Sequence, residues 1–301
     1  MGTPEFAVPS LEALLDAGLE VTAVVTAPDK PAGRSLQLRA SPVKRSAEKY
    51  ELPVWQPENL SEPHFLEQLR MAAADIGVVV AFRILPPELF TIPRLGCVNL
   101  HASLLPELRG AAPINWALIR GLKQTGVTTF LIEKRVDTGQ ILLQKETPIL
   151  PDDDADSLGA RLAEEGAQLL VRTVQDYARG ILKPHTQSGN PTSAPKLTPE
   201  TCRINWGESA DDIHNLVRGL APAPAAWTTL VGMRVKIYRV RPVNLAPQSP
   251  GVIVPTAGGG MVIACGNGGI EPLEMQMEGR RRMSDVELRR GLRLQPGAAF
   301  R

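Results

Sequence analysis

Ile76-Gly77-Val78-Val79-Val80-Ala81 is apolar at every position, not at alternate ones as in a strand with one face in water. A strand of this kind is buried on both faces, the environment of a parallel sheet covered by helices on either side. Upstream, Ser61 reads as the cap of a helix carrying Phe65, Leu66 and Leu69. Earlier still, Leu11, Leu14 and Leu15 make one apolar helical face closed by Gly18, and the β-branched run from Val21 to Thr26 follows. Downstream come a short strand from Cys97 to Leu100, a helix from Pro113 to Arg120 ended by Gly121, and a strand from Val127 to Ile132. A long amphipathic helix over 157–179, capped by Ser157 and stopped by Gly180, completes the series. The alternation predicts an α/β fold, a doubly wound parallel sheet, over residues 1–182. Ligands of such sheets bind beyond the carboxyl ends of the strands, where the strand order reverses.

After Gly180 the texture changes. Pro, Ser, Thr, Asn and Gly crowd the segment 183–203, which reads as a linker. Beyond it, a helix from Ala210 to Leu220 precedes strand-like pieces at Ala226 to Leu230, Val235 to Val240, Gly251 to Val254 and Met261 to Cys265. Turns rich in Gly and Pro separate them, so residues 204–301 are expected to form a small OB-like β-barrel. The Gly258-Gly259-Gly260 and Gly266-Asn267-Gly268-Gly269 clusters match no phosphate-binding spacing and read as turns.

Bulk properties exclude several classes. Of the 301 residues 43% are hydrophobic and 22% charged, the balance of a soluble globular protein. No apolar run is long enough to cross a bilayer, and the start MGTPEFAVPS lacks the pattern of an export signal. Cys97, Cys202 and Cys265 form no CxxC pair and the four histidines no metal-binding pair; neither a disulfide framework nor a metal is expected, and a reducing cytoplasm suits the chain. From Arg203 onward 13 Lys and Arg stand against 8 Asp and Glu, a balance of +5. The total of +1 therefore leaves −4 for residues 1–202. A basic C-terminal third is compatible with a polyanionic partner, and equally with an uneven solvated surface.

The densest chemistry lies in Asn99-Leu100-His101-Ala102-Ser103-Leu104-Leu105-Pro106. On a strand Asn99 and His101 project to one side. A carboxamide and an imidazole side by side at a strand's carboxyl end suit stabilisation of a developing oxyanion. Asp137, in the turn Val136-Asp137-Thr138-Gly139, is the best candidate to orient the imidazole. Taken alone, a histidine at a strand end is commonly a structural residue and Asp-Thr-Gly an ordinary turn.

The string NLHASLLPELRGAAPI (Asn99 to Ile114), with Asp137-Thr138-Gly139 behind it, closely resembles the folate-dependent formyltransferase family. The resemblance implies that Asn99, His101 and Asp137 are the catalytic trio. It implies that Ser103, Leu104, Leu105 and Pro106 border the folate site, and Ile84 and Leu85 are similar to a folate-pocket segment. Three further features are similar to the branch of the family that acts on methionyl initiator tRNA: GTPEFAVPSLEALL (Gly2 to Leu15), the loop DKPAGRSLQLRASPVK (Asp29 to Lys44), and a C-terminal domain with INWGESADDI, the Trp227 strand and LQPG. The resemblance then covers nearly the whole chain. It implies transfer of the formyl group of 10-formyltetrahydrofolate to the α-amine of methionyl initiator tRNA, with no metal. Arg34 and Lys44 of the loop would contact the tRNA, and Arg280, Arg281 and Arg282, the densest positive run, either touch its backbone or form a solvated turn. A monomer in the cytoplasm, away from membranes, is expected.

The chain departs from the family pattern at three places. The apolar first strand before Gly2-Thr3-Pro4 is absent, so the native start is expected several residues upstream of Met1. Leu36 and Gln37 replace basic residues common in the loop, and Phe82-Arg83 stands where Tyr-Gly is frequent. Two other readings compete: a formyltransferase acting on an amino-sugar nucleotide, and an RNA-binding protein whose front domain is a scaffold. The intact trio weighs against the second, and the PAGR loop and basic tail against the first.

Overall fold

The computed structural model describes residues 1–32, 37–291 and 298–301. The chain divides into two compact units, one of residues 1–113, 124–148 and 159–194, the other of residues 114–123, 149–158 and 195–301. The last of the boundaries between these segments falls between Ala194 and Pro195.

The first unit carries strands β1 (Val24–Val25), β2 (Lys30–Ala32), β3 (Gln37–Arg39), β4 (Val54–Trp55), β5 (Gly77–Val80), β6 (Cys97–His101), β7 (Gln124–Leu131) and β8 (Ile141–Pro148). The run that opened the sequence reading is β5, which pairs parallel with β6, as β1 does with β4. Between these two pairs lies the backbone of Met1 and Gly2. Gly2 donates to the Val25 carbonyl at 3.0 Å and bridges Val80 in parallel, while Val80 donates to the Met1 carbonyl at 2.9 Å. An added Cβ on Gly2 would come within 2.9 Å of the Val80 carbonyl oxygen, so only glycine lets the backbones approach so closely. Beside this stub lies a cavity of about 470 Å³ lined by Met1, Gly2, Leu11, Leu14, Val24, Leu69 and other residues. The chain moves from the stub to β1 and β4 on one side and to β5 and β6 on the other, so the strand order reverses here.

The sheet is not parallel throughout: β7 runs antiparallel to β6, and β8 antiparallel to β7. A nine-residue connection, 132–140, joins β7 to β8 without a crossover helix, and such a connection returns a strand antiparallel. β7 is also longer than its apolar run, because Gln124 and Thr125 extend the ladder to Pro148 and Thr147.

Helices α1 (Val8–Asp16), α2 (Pro42–Lys49), α3 (Pro63–Met71), α4 (Pro87–Phe90), α5 (Pro113–Ile119) and α6 (Ala155–Ala178) occur among these strands in the chain. Two cap assignments require correction. The cap position of α3 is Glu62, followed by Pro63, whose fixed φ and missing N–H suit a first helical residue; Ser61 instead donates its hydroxyl to Glu88. α6 begins before Ser157, and the Asp154 carboxylate accepts from the backbone N–H groups of Asp156 and Ser157 at 3.0 and 2.9 Å.

In the second unit, α7 (Ala210–Leu220) spans the helix expected there. Ser209 caps it by accepting from the Asp212 N–H, and Ile213, Val217 and Leu220 share its buried face. Strands β9 (Ala226–Leu230), β10 (Met233–Val243), β11 (Ile253–Pro255), β12 (Met261–Ala264), β13 (Gly269–Met277) and β14 (Arg282–Met283), with helix α8 (Asp285–Gly291), follow. They form an antiparallel sheet in the order β11-β12-β13-β10-β9, with β14 added to β13. Ala299 bridges Val252 beside β11 and Phe300 bridges Leu230 of β9, so the chain's last residues join the two edges of the sheet into a closed barrel. Its interior holds Trp206, Leu230, Ile237, Met261, Ile263 and Met275 among other residues, and the Trp206 indole donates to Thr228 at 3.0 Å. Among the described residues no helix is long and apolar enough to cross a membrane.

Candidate active site

The site is assembled around the carboxyl end of β6. Asn99 pairs with Val79 of β5 and Phe130 of β7, and His101 pairs with Thr128, so the two side chains repeat on one face of the strand as their spacing requires. His101 is 6% exposed. Its Nε2 lies 2.9 Å from the Leu108 carbonyl oxygen, which can only accept, so Nε2 carries a proton. Phe130 meets the imidazole edge-on with centroids 6.5 Å apart. The remaining nitrogen, Nδ1, faces the Asp137 carboxylate at 3.9 Å. Asn99 is half-buried, and its carboxamide makes no hydrogen bond among the described residues. A buried, backbone-anchored imidazole thus stands beside a carboxamide with free donors.

Asp137 follows β7 in a turn of unusual backbone. Its φ is +54°, a left-handed conformation that costs a non-glycine residue energy and needs support from its surroundings. Gly139 has no alternative: a Cβ there would sit 1.7 Å from the Leu131 carbonyl oxygen. The Asp137 carboxylate accepts from the Gly110 N–H at 2.8 Å. The carbonyls of the turn, at Asp137 and Gly139, accept from Gln187 Nε2 at 3.0 and 2.9 Å. Gln187 Oε1 in turn accepts from Arg109 Nε and Nη2 at 3.2 and 2.5 Å. The sequence reading singled out neither Arg109 nor Gln187. Arg109 lay inside the quoted motif, and Gln187 lay in the segment taken as linker. That segment is stitched to the motif: Thr192 accepts from the Leu108 N–H at its hydroxyl and from the Arg109 N–H at its carbonyl.

The residues expected to border a folate occupy two loops at this end of the sheet. Ser103 is fully buried and bonded to the Glu107 carbonyl, and the Leu105 N–H donates to Thr128. Leu105 packs with Phe130 and Ile141, Pro106 is buried, and Leu104 is half-buried. In the loop after β5, Leu85 joins the core while its neighbour Ile84 is 76% exposed. Arg83 holds this loop by donating to the carbonyls of Pro57 and Glu58. Ser103 and Leu85 thus build the walls, whereas Ile84 and Leu104 have surface to offer a ligand.

The expected RNA contacts are scattered. Arg34 lies outside the described residues, as does Leu36. The Lys44 ammonium is bound to Asp29 at 2.7 Å, and that bond with one from Gln56 holds the Asp29 carboxyl below its usual range. Arg281 pairs with Glu287, whose carboxyl is lowered first by the Ser284 backbone N–H and then by this arginine. Arg282 lies over the Tyr238 ring at 3.7 Å and near Glu274. Arg280 is exposed, with no ion pair among the described residues.

Two family models match, one described as formyl transferase over residues 1–174 and one as the formyl transferase C-terminal domain over residues 196–293. A methionyl-tRNA formyltransferase of Chlorobium phaeovibrioides is 47% identical over 100% of the chain and 96% of its own length. One from Citrifermentans bemidjiense is 43% identical over 99% and 94%. Among solved structures, an N-formyltransferase from Helicobacter canadensis, in complex with folinic acid and dTDP-3-aminofucose, shares the fold with a TM-score of 0.65 at 18% identity. It covers 92% of this chain and 97% of its own.

Proposed function

The chain belongs to the formyltransferase family, alongside its methionyl-tRNA formyltransferases, and from that premise we propose that the β6 site transfers the formyl group of 10-formyltetrahydrofolate to the α-amine of methionyl initiator tRNA. One observation carries the proposal: a carboxamide without a hydrogen-bond partner among the described residues and a buried imidazole share one strand face, with a carboxylate 3.9 Å from the imidazole. The amine attacks the formyl carbon and a C–N bond forms, putting negative charge on the former carbonyl oxygen. Asn99 donates to that oxygen, and His101 adds a second, charged donor through Nδ1 in its imidazolium form, with Nε2 still donating to the Leu108 carbonyl and the Asp137 carboxylate beside Nδ1. The amine gives one proton to Asp137, collapse breaks the bond to the folate nitrogen, and Asp137 returns that proton to the departing nitrogen. The products are N-formylmethionyl-tRNA and tetrahydrofolate. Ile84 and Leu104, with Leu105 and Pro106 behind them, offer an apolar border to the folate ring, whose carboxylates would remain in water.

On the RNA side, the loop 29–44 and the turn 280–282 are the proposed contacts. Lys44 anchors that loop through Asp29, and Arg34 and Arg280 take the phosphates. The deciding experiment is a formylation assay with charged initiator and elongator tRNAs, with and without the folate donor. Formyl transfer to charged initiator tRNA only when donor is present supports the reading; transfer to an amino-sugar nucleotide but not to tRNA would replace it.

A further inference from the structure

We infer that Gln187 is a positioning residue for formyl transfer, holding Asp137 at His101 through the backbone of the 137–139 turn; the inference rests on the proposed reaction for its kinetic consequence, not for its geometry. The amide orientation follows from its neighbours. Arg109 has only donors, so Oε1 must face it; the carbonyls of Asp137 and Gly139 have only acceptors, so Nε2 must face them. Both Nε2 protons and the oxygen are therefore engaged, and the guanidinium polarises the amide so that its N–H groups donate more strongly.

These bonds fall where support is needed. Asp137 is held at φ +54°, and of the two carbonyls that Gln187 grips one is Asp137's own and the other lies two residues on, across the turn that follows it. The carboxylate has one further tether, the Gly110 N–H at 2.8 Å. Gly110 follows Arg109 directly, so the residue that orients Gln187 and the residue that holds Asp137 are neighbours in one loop. Releasing Gln187 frees the turn to relax, and the carboxylate then leaves both Gly110 and His101. Arg109 and Gln187 do not reach the imidazole or the carboxamide themselves; they act through Asp137.

The test uses the full chain with Gln187→Ala and Gln187→Glu. Glutamate keeps the length and the Arg109 contact but turns carboxylate oxygens against two carbonyls. In both variants kcat should fall about 100-fold, as for a reacting group displaced by about 1 Å, while KM for the folate donor and for charged tRNA stays within about twofold. Hydrogen exchange gives a readout independent of activity: the Gly110 amide should lose protection, while amides of β6 and β7 keep theirs. Because a relaxed turn exposes Gly110 whatever the reaction, loss of its protection in a chain that does not formylate tRNA would leave this inference standing and sink the functional reading. In a chain that does formylate, wild-type kcat or an unchanged Gly110 amide in the variants would overturn the inference alone. If Gln187→Ala does not fold, Gln187→Glu and Arg109→Lys carry the same comparison.

Discussion

At the scale of single residues, the proposed reaction separates groups that would touch the reacting atoms from groups that would only hold them. Under the proposed reaction His101→Ala and Asn99→Ala would each remove one donor from the developing oxyanion, so kcat should drop about 10²- to 10³-fold. KM should change little, because neither side chain is needed to bind the ground state. Turnover near wild type in either variant, measured by single-turnover formylation, would remove that residue from the chemistry. Gly139→Ala acts differently: its Cβ would be driven against the Leu131 carbonyl, so the turn must move and activity should fall with some loss of stability, seen as a lower urea midpoint. A Gly139→Ala chain of full activity would show that the turn's geometry is dispensable. A strand's period of two put Asn99 and His101 on one side without any tertiary information, but only the family resemblance marked them as a site. Gln187 was not legible. Its partners lie 48 to 78 residues away, and the Pro-, Ser- and Gly-rich composition around it describes an irregular backbone, which a linker and a docked loop share.

At the scale of elements, caps and turns show where local signals competed. Ser157 and Asp154 are both acceptable cap residues, and the structure chooses Asp154, whose carboxylate serves two N–H groups. Asp154→Ala should therefore cost about 1 kcal/mol of stability, read from urea unfolding; no change would return the cap to Ser157. β13 was missed because Pro272 interrupts the run, and proline argues against an interior strand. Here Pro272 faces Val240 next to a shift in the β10 register, where the ladder is already broken, so its missing N–H costs little. The 280–282 run was legible only as charge. The structure ties Arg281 to Glu287 and Arg282 to Tyr238 and Glu274, and leaves Arg280 toward solvent. Neutralising Arg280 should flatten the log–log dependence of tRNA affinity on salt by about 1, more than Arg281→Ala does. Equal slopes for wild type and Arg280→Ala, in binding titrations over a salt series, would make the turn a solvated one.

At the scale of the whole molecule, composition and alternation were enough for a wound α/β unit followed by an antiparallel β unit, because burial on one face or two writes a visible period. A small barrel was expected from the short strands and turns, but not which segment closes it: the bridges run from Ala299 and Phe300 to residues far back in the chain, too short a segment to show a pattern. The sheet's centre carries the last prediction. In a polypeptide of these 301 residues the Met1 ammonium lies at the stub between β1 and β5 and donates to the Val78 carbonyl at 2.7 Å. Burial lowers its pKa from 8.0 to about 6, with the Cys97 sulfur acting weakly the other way. Cys97 itself is pushed up to about 12 by burial and stays a neutral thiol. Between pH 6 and pH 8 the unfolded chain therefore holds a proton on this amine that the folded chain does not, and stability rises with pH through that window. At about 1.4 kcal/mol per pKa unit the gain is at most about 2.7 kcal/mol, and less where water reaches the half-buried Met1. Burial also lowers His214, which adds a rise of the same sign at the acid end of the window, so His214→Gln is the proper background. In that background the urea midpoint of the 301-residue chain should climb from pH 6 to pH 8. Acetylation of the α-amine, which removes the titrating group, should flatten the climb. An equally steep rise in the acetylated chain would show that the amine is not the group responsible.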